Sequence, residues 1–179
     1  MKEVGPVSKS KENSFVRSLE KLYENKDRAA LAKLRRGLGR KGGTPEMYRY
    51  VVPYFDPERS YGTERYFLVA SLFALHPESA ARGTNMGRVF RAMKEEKSPS
   101  SVERRFENLL SVDAEDLAGH LRQAVSLAKS KGVRVDFHQL FFDIKNWNHP
   151  ERFVQLQWAR DFWGYENETN KTDSKGEDQ

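Results

Sequence analysis

No cysteine occurs anywhere in the chain, which excludes disulfides, thiolate catalysis and sulfur-ligated metal and fits a reducing compartment. Apolar runs are short. None reaches the ~18 residues of a membrane span, and residues 1–20 lack the apolar stretch of a secretory signal. The expectation is a soluble, cytoplasmic protein with no membrane partner. Strand patterning is equally scarce: Val133-Arg134-Val135 comes nearest, and it is too short to seed a sheet. His76, His120, His138 and His149 form neither HxxxH nor HExxH, which argues against a metal site. No GxSxG or other nucleophile setting is present. The glycine-rich Gly37–Gly43 segment follows a helical pattern and lacks the GxxxxGK[ST] spacing of a nucleotide-binding loop. Together these absences argue against an enzyme and against a bound cofactor.

What the chain does have is aromatics and basic charge. Hydrophobic residues make up only 37% of its 179 residues, but aromatics reach 12%, enough for large rings to fill one domain or two small helical units beneath a charge-rich surface. The formal net charge is +5. Residues 166–179 hold five acids and two lysines, a net of −3, so the remainder carries +8 once that segment is removed from the total. The basic character therefore belongs to the folded body, which favours an anionic partner such as nucleic acid.

Apolar periodicity reads as helix nearly throughout. Phe15, Leu19, Leu22 and Tyr23 mark a first amphipathic helix, and Asn25 or Asp27 can cap the next. In that second helix Leu31, Leu34 and Leu38 share one arc, with Lys33 and Arg36 on the other side. Thr44-Pro45-Glu46 predicts a helix start with a hydroxyl cap, running to Pro53 and sending Tyr48, Val51 and Val52 to the core. Tyr66–Leu75 is apolar almost all round and should be the central helix of the first half. HPESAARGTN then reads as a linker. Beyond it come stripes at Met86/Val89/Phe90/Met93, at Val102/Phe106/Leu109/Leu110 after Ser98-Pro99, and at Leu117/Leu121/Ala124/Val125/Ala128. Asp136 can cap a short helix through Phe141, Phe142 and Ile144. A last helix from Pro150 spreads Phe153, Leu156, Trp158, Phe162 and Trp163 around its girth, and must be gripped on several sides or form an interface. The expected fold is all-α: two small helical bundles, 13–80 and 85–165, joined by a short linker, with 1–12 and 166–179 as disordered tails.

Recurrent arginines on the outer faces of these helices are the main functional signal. Arg28 to Arg49 sets seven basic residues against one acid, Glu46, and its GLGRKGG holds four glycines in seven residues. Such a loop can bring Arg40 and Lys41 close to a ligand backbone. Arg35, Arg36, Arg40, Lys41, Arg49, Arg88, Arg91, Arg104, Arg105 and Arg122 are the candidates for phosphate contact, because guanidinium donors match phosphate oxygens without reading bases. Two readings stand open at this point. These side chains form a track for a nucleic-acid backbone, or they are scattered, solvated charges paired with Glu95, Glu96, Glu103 and Glu107 along their helices. Tyr61 and Trp147 stand either in the core or free to stack on bases.

Ordered stretches across residues 28–164 carry a resemblance: RAALAKLRRGLG, TPEMYRYVVPYF, ERYFLVASLFALHP, NMGRVFRAM, SVERRFENLL, DLAGHLRQAVSLAKSKGVRVDF, LFFDIKNW and HPERFVQLQWARDFW. In order and spacing they resemble CasB, the small-subunit family of the type I-E CRISPR surveillance complex, Cascade. The resemblance implies an all-α, non-catalytic protein, two copies of which lie head to tail in an RNA-guided complex. Its implied partners are the large and backbone subunits, a second copy of itself, guide RNA and target DNA. It also implies a basic surface holding displaced and target strands during antiviral defence, with sequence reading left to base pairing. Arg35, Arg36, Arg88, Arg104 and Arg105 sit where the family's motifs place basic residues; Arg40, Lys41, Arg49, Arg91 and Arg122 rest on helix faces and loop chemistry alone. A helical protein–protein scaffold with incidental basic charge is the alternative.

Overall fold

The computed structural model describes residues 6–58, 61–94 and 99–164; the acidic segment after Tyr165 and the pair Glu95 and Glu96 lie outside them. Elements follow the apolar stripes: α1 Pro6–Glu24, α2 Arg28–Arg35, α3 Tyr48–Val51 between 3-10 turns Pro45–Met47 and Val52–Tyr54, α4 Glu64–Leu75, α5 Met86–Ala92, α6 Pro99–Ser111, α7 Ala114–Ser130, α8 Phe137–Lys145 and α9 Phe153–Trp163. The fold is all-α, two helix clusters with short connections. Among the described residues the only β pairing is a single bridge between Ser79 and Val135. It sits in the short segment that sequence patterning rejects as a sheet.

α4 is central because it is apolar on every side: Tyr66, Phe67, Val69, Ala70, Leu72, Phe73 and Ala74 are all buried. One cluster gathers α1, α2, α3 and α8 around it. Phe15 of α1 lies 5.3 Å from Tyr54, 5.1 Å from Tyr66 and 6.0 Å from Phe141 between ring centroids. These tilted and edge-on contacts tie three helices and a turn together. The other cluster packs α5 against α6 and α9, with the Phe106 ring tilted against Phe162 at 4.2 Å and Phe90 at 5.0 Å between centroids. α7 touches both, packing on α6 and on α4.

Contacts do not follow chain order. α8 comes from the second half yet packs on α1 and α4. Asp136 explains how it is fixed: its Oδ1 accepts from the His138 and Gln139 amides, capping α8, while Oδ2 accepts from the Gly83 amide at 2.7 Å. His76 Nε2 lies 2.8 Å from the Val133 carbonyl, so the expected linker is stitched to the α7–α8 connection.

Several local expectations need correction. α1 begins at Pro6, ahead of residue 13, and Glu12 pairs with Lys145 at 2.7 Å. α2 ends at Arg35, leaving Leu38 in a turn, half-buried against the core. Thr44 does not cap; its hydroxyl is buried without a partner. Tyr48 is 47% exposed, and Met47 takes the core position instead. α9 begins at Phe153, not Pro150, because Arg152 takes a left-handed conformation (φ 50°) that interrupts the helix. Phe142 is 37% exposed. Trp147 is core, its indole donating to the Val112 carbonyl, whereas Tyr61 is 95% exposed.

Candidate nucleic-acid interface

The basic candidates come from faces that the core leaves outside, and all ten are exposed. Asp27 caps α2 by accepting from the Ala30 amide at 2.9 Å, and burial of Leu31 and Leu34 turns Arg35 and Arg36 outward. Arg35 keeps one donor at home, since its Nε donates to the Ala74 carbonyl at 3.0 Å and clamps α2 to the end of α4. Arg36 Nη1 meets Glu46 at 2.9 Å. Lys41 lies 3.7 Å from Glu64, with both side chains more than half exposed. Such solvated pairs stabilise by roughly 0–1 kcal/mol, so a phosphate can displace the acid at little cost. Arg49 stands over the Tyr50 ring at 5.2 Å.

The glycine loop serves packing as much as presentation. A Cβ at Gly37 would strike the Met47 sulfur, and one at Gly43 (φ +74°) would strike the Phe67 ring. Gly39 (φ +76°) is different: a Cβ there would stand 3.4 Å from Nη1 of Arg122. The loop carrying Arg40 and Lys41 is therefore seated beside α7, and the structure joins a basic group of the first half to one of the second. On a different face of α7, away from Arg122, His120 and Gln123 line a small pocket of about 60 Å³ with Arg105 and Asn108 of α6. Thus α7 is flanked by the glycine loop on one side and by Arg105 on another. Arg104 is exposed on α6 next to it in sequence.

Arg88 and Arg91 belong to another neighbourhood. They line a cleft of about 580 Å³ between α5 and α9, with Gln157, Arg160, Asp161 and Gly164. Arg88 Nε donates to Asp161 at 3.2 Å. Arg160 is the residue that sequence reading missed, hidden inside a helix that reads as apolar all round. The i, i+3 pair Arg88/Arg91 gave no sign of it, since only the α5–α9 packing brings Arg160 to them. Among the described residues no acid pairs with Arg91, Arg104, Arg105, Arg122 or Arg160. Glu103, offered as a helix-face partner, instead accepts from the Trp163 indole at 2.7 Å. The described residues contain no cluster of His, Asp and Glu suited to a metal ion.

Comparisons with known proteins agree on one family. Residues 30–163 match the family model for CRISPR-associated protein Cse2. A CRISPR-associated protein Cse2 from Thermus thermophilus is 35% identical over 142 residues, which span 76% of this chain and 79% of the relative. The crystal structure of a Cse2-family protein from the same organism superimposes with a TM-score of 0.72 at 32% identity, covering 86% of this chain and 97% of the other. A chain in a structure described as a CRISPR RNA-guided surveillance complex gives 0.68 at 26% identity, covering 87% and 92%. With a family model spanning most of its length and an all-α fold to match, this chain belongs to the Cse2 family, also called CasB, the non-catalytic subunits of the type I-E CRISPR Cascade complex.

Proposed function

We propose that this Cascade subunit binds the sugar-phosphate backbone of nucleic acid through its basic faces and thereby stabilises displaced and target DNA strands while guide RNA pairs with its target. One observation carries the reading: the Arg40/Lys41 loop is seated against Arg122 on α7, and on that helix's other flank stands Arg105, which meets no acid among the described residues. Guanidinium groups free of acid partners are set for phosphate, and exchange of one duplex for another is near balance, so modest backbone contacts tip it. The partners proposed are the large and backbone subunits, a second copy of the chain, guide RNA and target DNA.

Polarisation binding with single-stranded DNA at two salt concentrations tests this. Each lost phosphate contact should make the log–log salt slope shallower by about 0.7. Replacing Arg40, Arg105 and Arg122 together by Ala should change it by about 2 and weaken binding at low salt, with the thermal midpoint unchanged. Binding that ignores salt, or survives the triple change, sinks the proposal.

A second reading, a protein-docking surface, is favoured by Leu156, 65% exposed, and Trp163, 46% exposed, on α9. Trp158 does not belong to it, being 1% exposed in the core. Under this reading Trp163→Ala abolishes co-purification with the other Cascade subunits and leaves DNA binding intact.

A further inference from the structure

Tyr48 is a ring that the core leaves on the surface, although the periodicity of its segment sends it inward. It is 47% exposed, because Met47 fills the core position. The ring is nonetheless held. It meets Phe67 of α4 edge-on at 5.9 Å between centroids, and Phe67, itself buried, is braced by Phe55 at 5.9 Å. Phe67 also supports the glycine loop, since a Cβ at Gly43 would run into its ring. One buried ring therefore fixes both the end of the basic loop and an exposed tyrosine. Lys41 of that loop lies 3.7 Å from Glu64, and Glu64 precedes Phe67 by three residues on α4, so that the two share a face. Arg49 follows Tyr48 in α3, and Arg36 reaches Glu46, two residues ahead of it, at 2.9 Å.

Basic side chains alone suit the backbone of a duplex as well as that of a single strand. A flat ring among them suits only a strand whose bases are unpaired, because every base has a π-face that stacks whatever its identity. A ring already braced by packing also gives up little freedom when a base settles on it. Tyr61, 95% exposed, has no such brace, since no ring of the described residues packs against it. Trp163 is engaged elsewhere: its indole donates to Glu103 at 2.7 Å and its ring lies against Phe106 and Phe162. We propose that Tyr48 is a base-stacking platform beside the basic loop, and that this face of the molecule takes single-stranded nucleic acid, with an unpaired base on the Tyr48 ring and adjoining phosphates on Lys41 and Arg49. The base site deepens the nucleic-acid reading above and rests on it. Stacking of this kind holds a strand without reading its sequence, in keeping with recognition left to base pairing.

Polarisation binding of the full chain to three probes at two salt concentrations tests this: a single-stranded oligodeoxynucleotide, the same backbone built of abasic sites, and the duplex. Tyr48→Ala should weaken binding of the base-bearing strand about fivefold or more, and by the same factor at both salts, because no phosphate contact is lost. Tyr48→Leu, which keeps an apolar side chain on Phe67 but no flat ring, should show the same loss with its thermal midpoint unchanged. Tyr48→Phe keeps the ring and should bind as the unaltered chain does. The abasic strand and the duplex should not distinguish any of these variants from the unaltered chain. Full binding of the base-bearing strand by Tyr48→Leu overturns the base site. A loss by Tyr48→Leu that is equal on the abasic strand overturns it too, because it marks a backbone contact, and so does a loss that Tyr48→Phe shares, which marks the hydroxyl. In all three outcomes salt-dependent binding by the unaltered chain leaves the proposed function standing. An unaltered chain that binds none of the probes at low salt overturns both.

Discussion

Gly87 looks like an ordinary weak spot in a helix, where Ala would add roughly 1 kcal/mol of helix propensity. The structure reverses that expectation. A Cβ there would run into the Trp158 backbone carbonyl of α9, so α5 and α9 can approach as they do only with Gly at this position. A carbonyl in a buried helix cannot rotate aside as a side chain could. Gly87→Ala should therefore destabilise by about 1–3 kcal/mol in urea unfolding, the clash outweighing the propensity. Asp143 offers a second test at the same scale. It is buried on α8 and accepts from the Trp158 indole and the Gln139 amide, each at 2.8 Å. Burial pushes its carboxyl up from 3.8 to about 6, against the lowering effect of those two donors. Between these values the folded chain binds more protons than the unfolded, so this group's contribution falls as pH rises from about 4 to 6, by on the order of 2–3 kcal/mol. His138 acts in the opposite sense: burial first, then Arg82, holds its imidazole below the ordinary 6.5. Its contribution is present above 6.5 and lost as pH falls through the lowered value. Asp143→Asn should remove only the first slope, which shows as the difference between variant and unaltered unfolding curves across pH 4–6.

Helix α2 with its cap sets a packing side chain beside one proposed to bind. Leu34 is fully buried, and Arg36, the C-cap of the same short helix, meets only Glu46 among the charged groups of the described residues. Leu34→Ala should cost about 2–5 kcal/mol through lost burial and the cavity left behind. Arg36→Ala should change unfolding by less than about 1 kcal/mol while weakening DNA binding. Equal losses of stability would show that the two faces had been assigned wrongly. Arg35 is unlike Arg36, because its Nε clamps α2 to α4 through Ala74; Arg35→Ala mixes both effects and is a poor probe of binding. At the start of α8, Asp136 does more than an ordinary cap, since it also holds Gly83. Asp136→Ala should cost about 1–3 kcal/mol, leaving buried amides without an acceptor, and should loosen α8 from the 76–85 connection together.

At the scale of the whole molecule, most of the fold was legible. The stripes at Met86/Val89/Phe90/Met93 and along α7, the all-round apolarity of α4 and the Asp136 cap were readable because helix burial repeats every three to four residues and caps depend on adjacent chemistry. Helix ends were less legible. α2 stops before Leu38 and α9 starts after Arg152, since their ends are decided by packing of the following segment and by one left-handed residue, neither of which has a periodic signal. Sequence alone determined that this chain is helical, basic on its outer faces, without cysteine and equipped with arginines suited to phosphate, because composition, period and the Cse2 motifs are local properties. Only the tertiary structure decided that α8 joins the first helices, that Arg122 meets the Gly39 loop, and that Arg160 completes a cleft with Arg88 and Arg91. Those are contacts between residues about 60 to 130 positions apart, and no local pattern specifies which two outer faces the core will bring side by side.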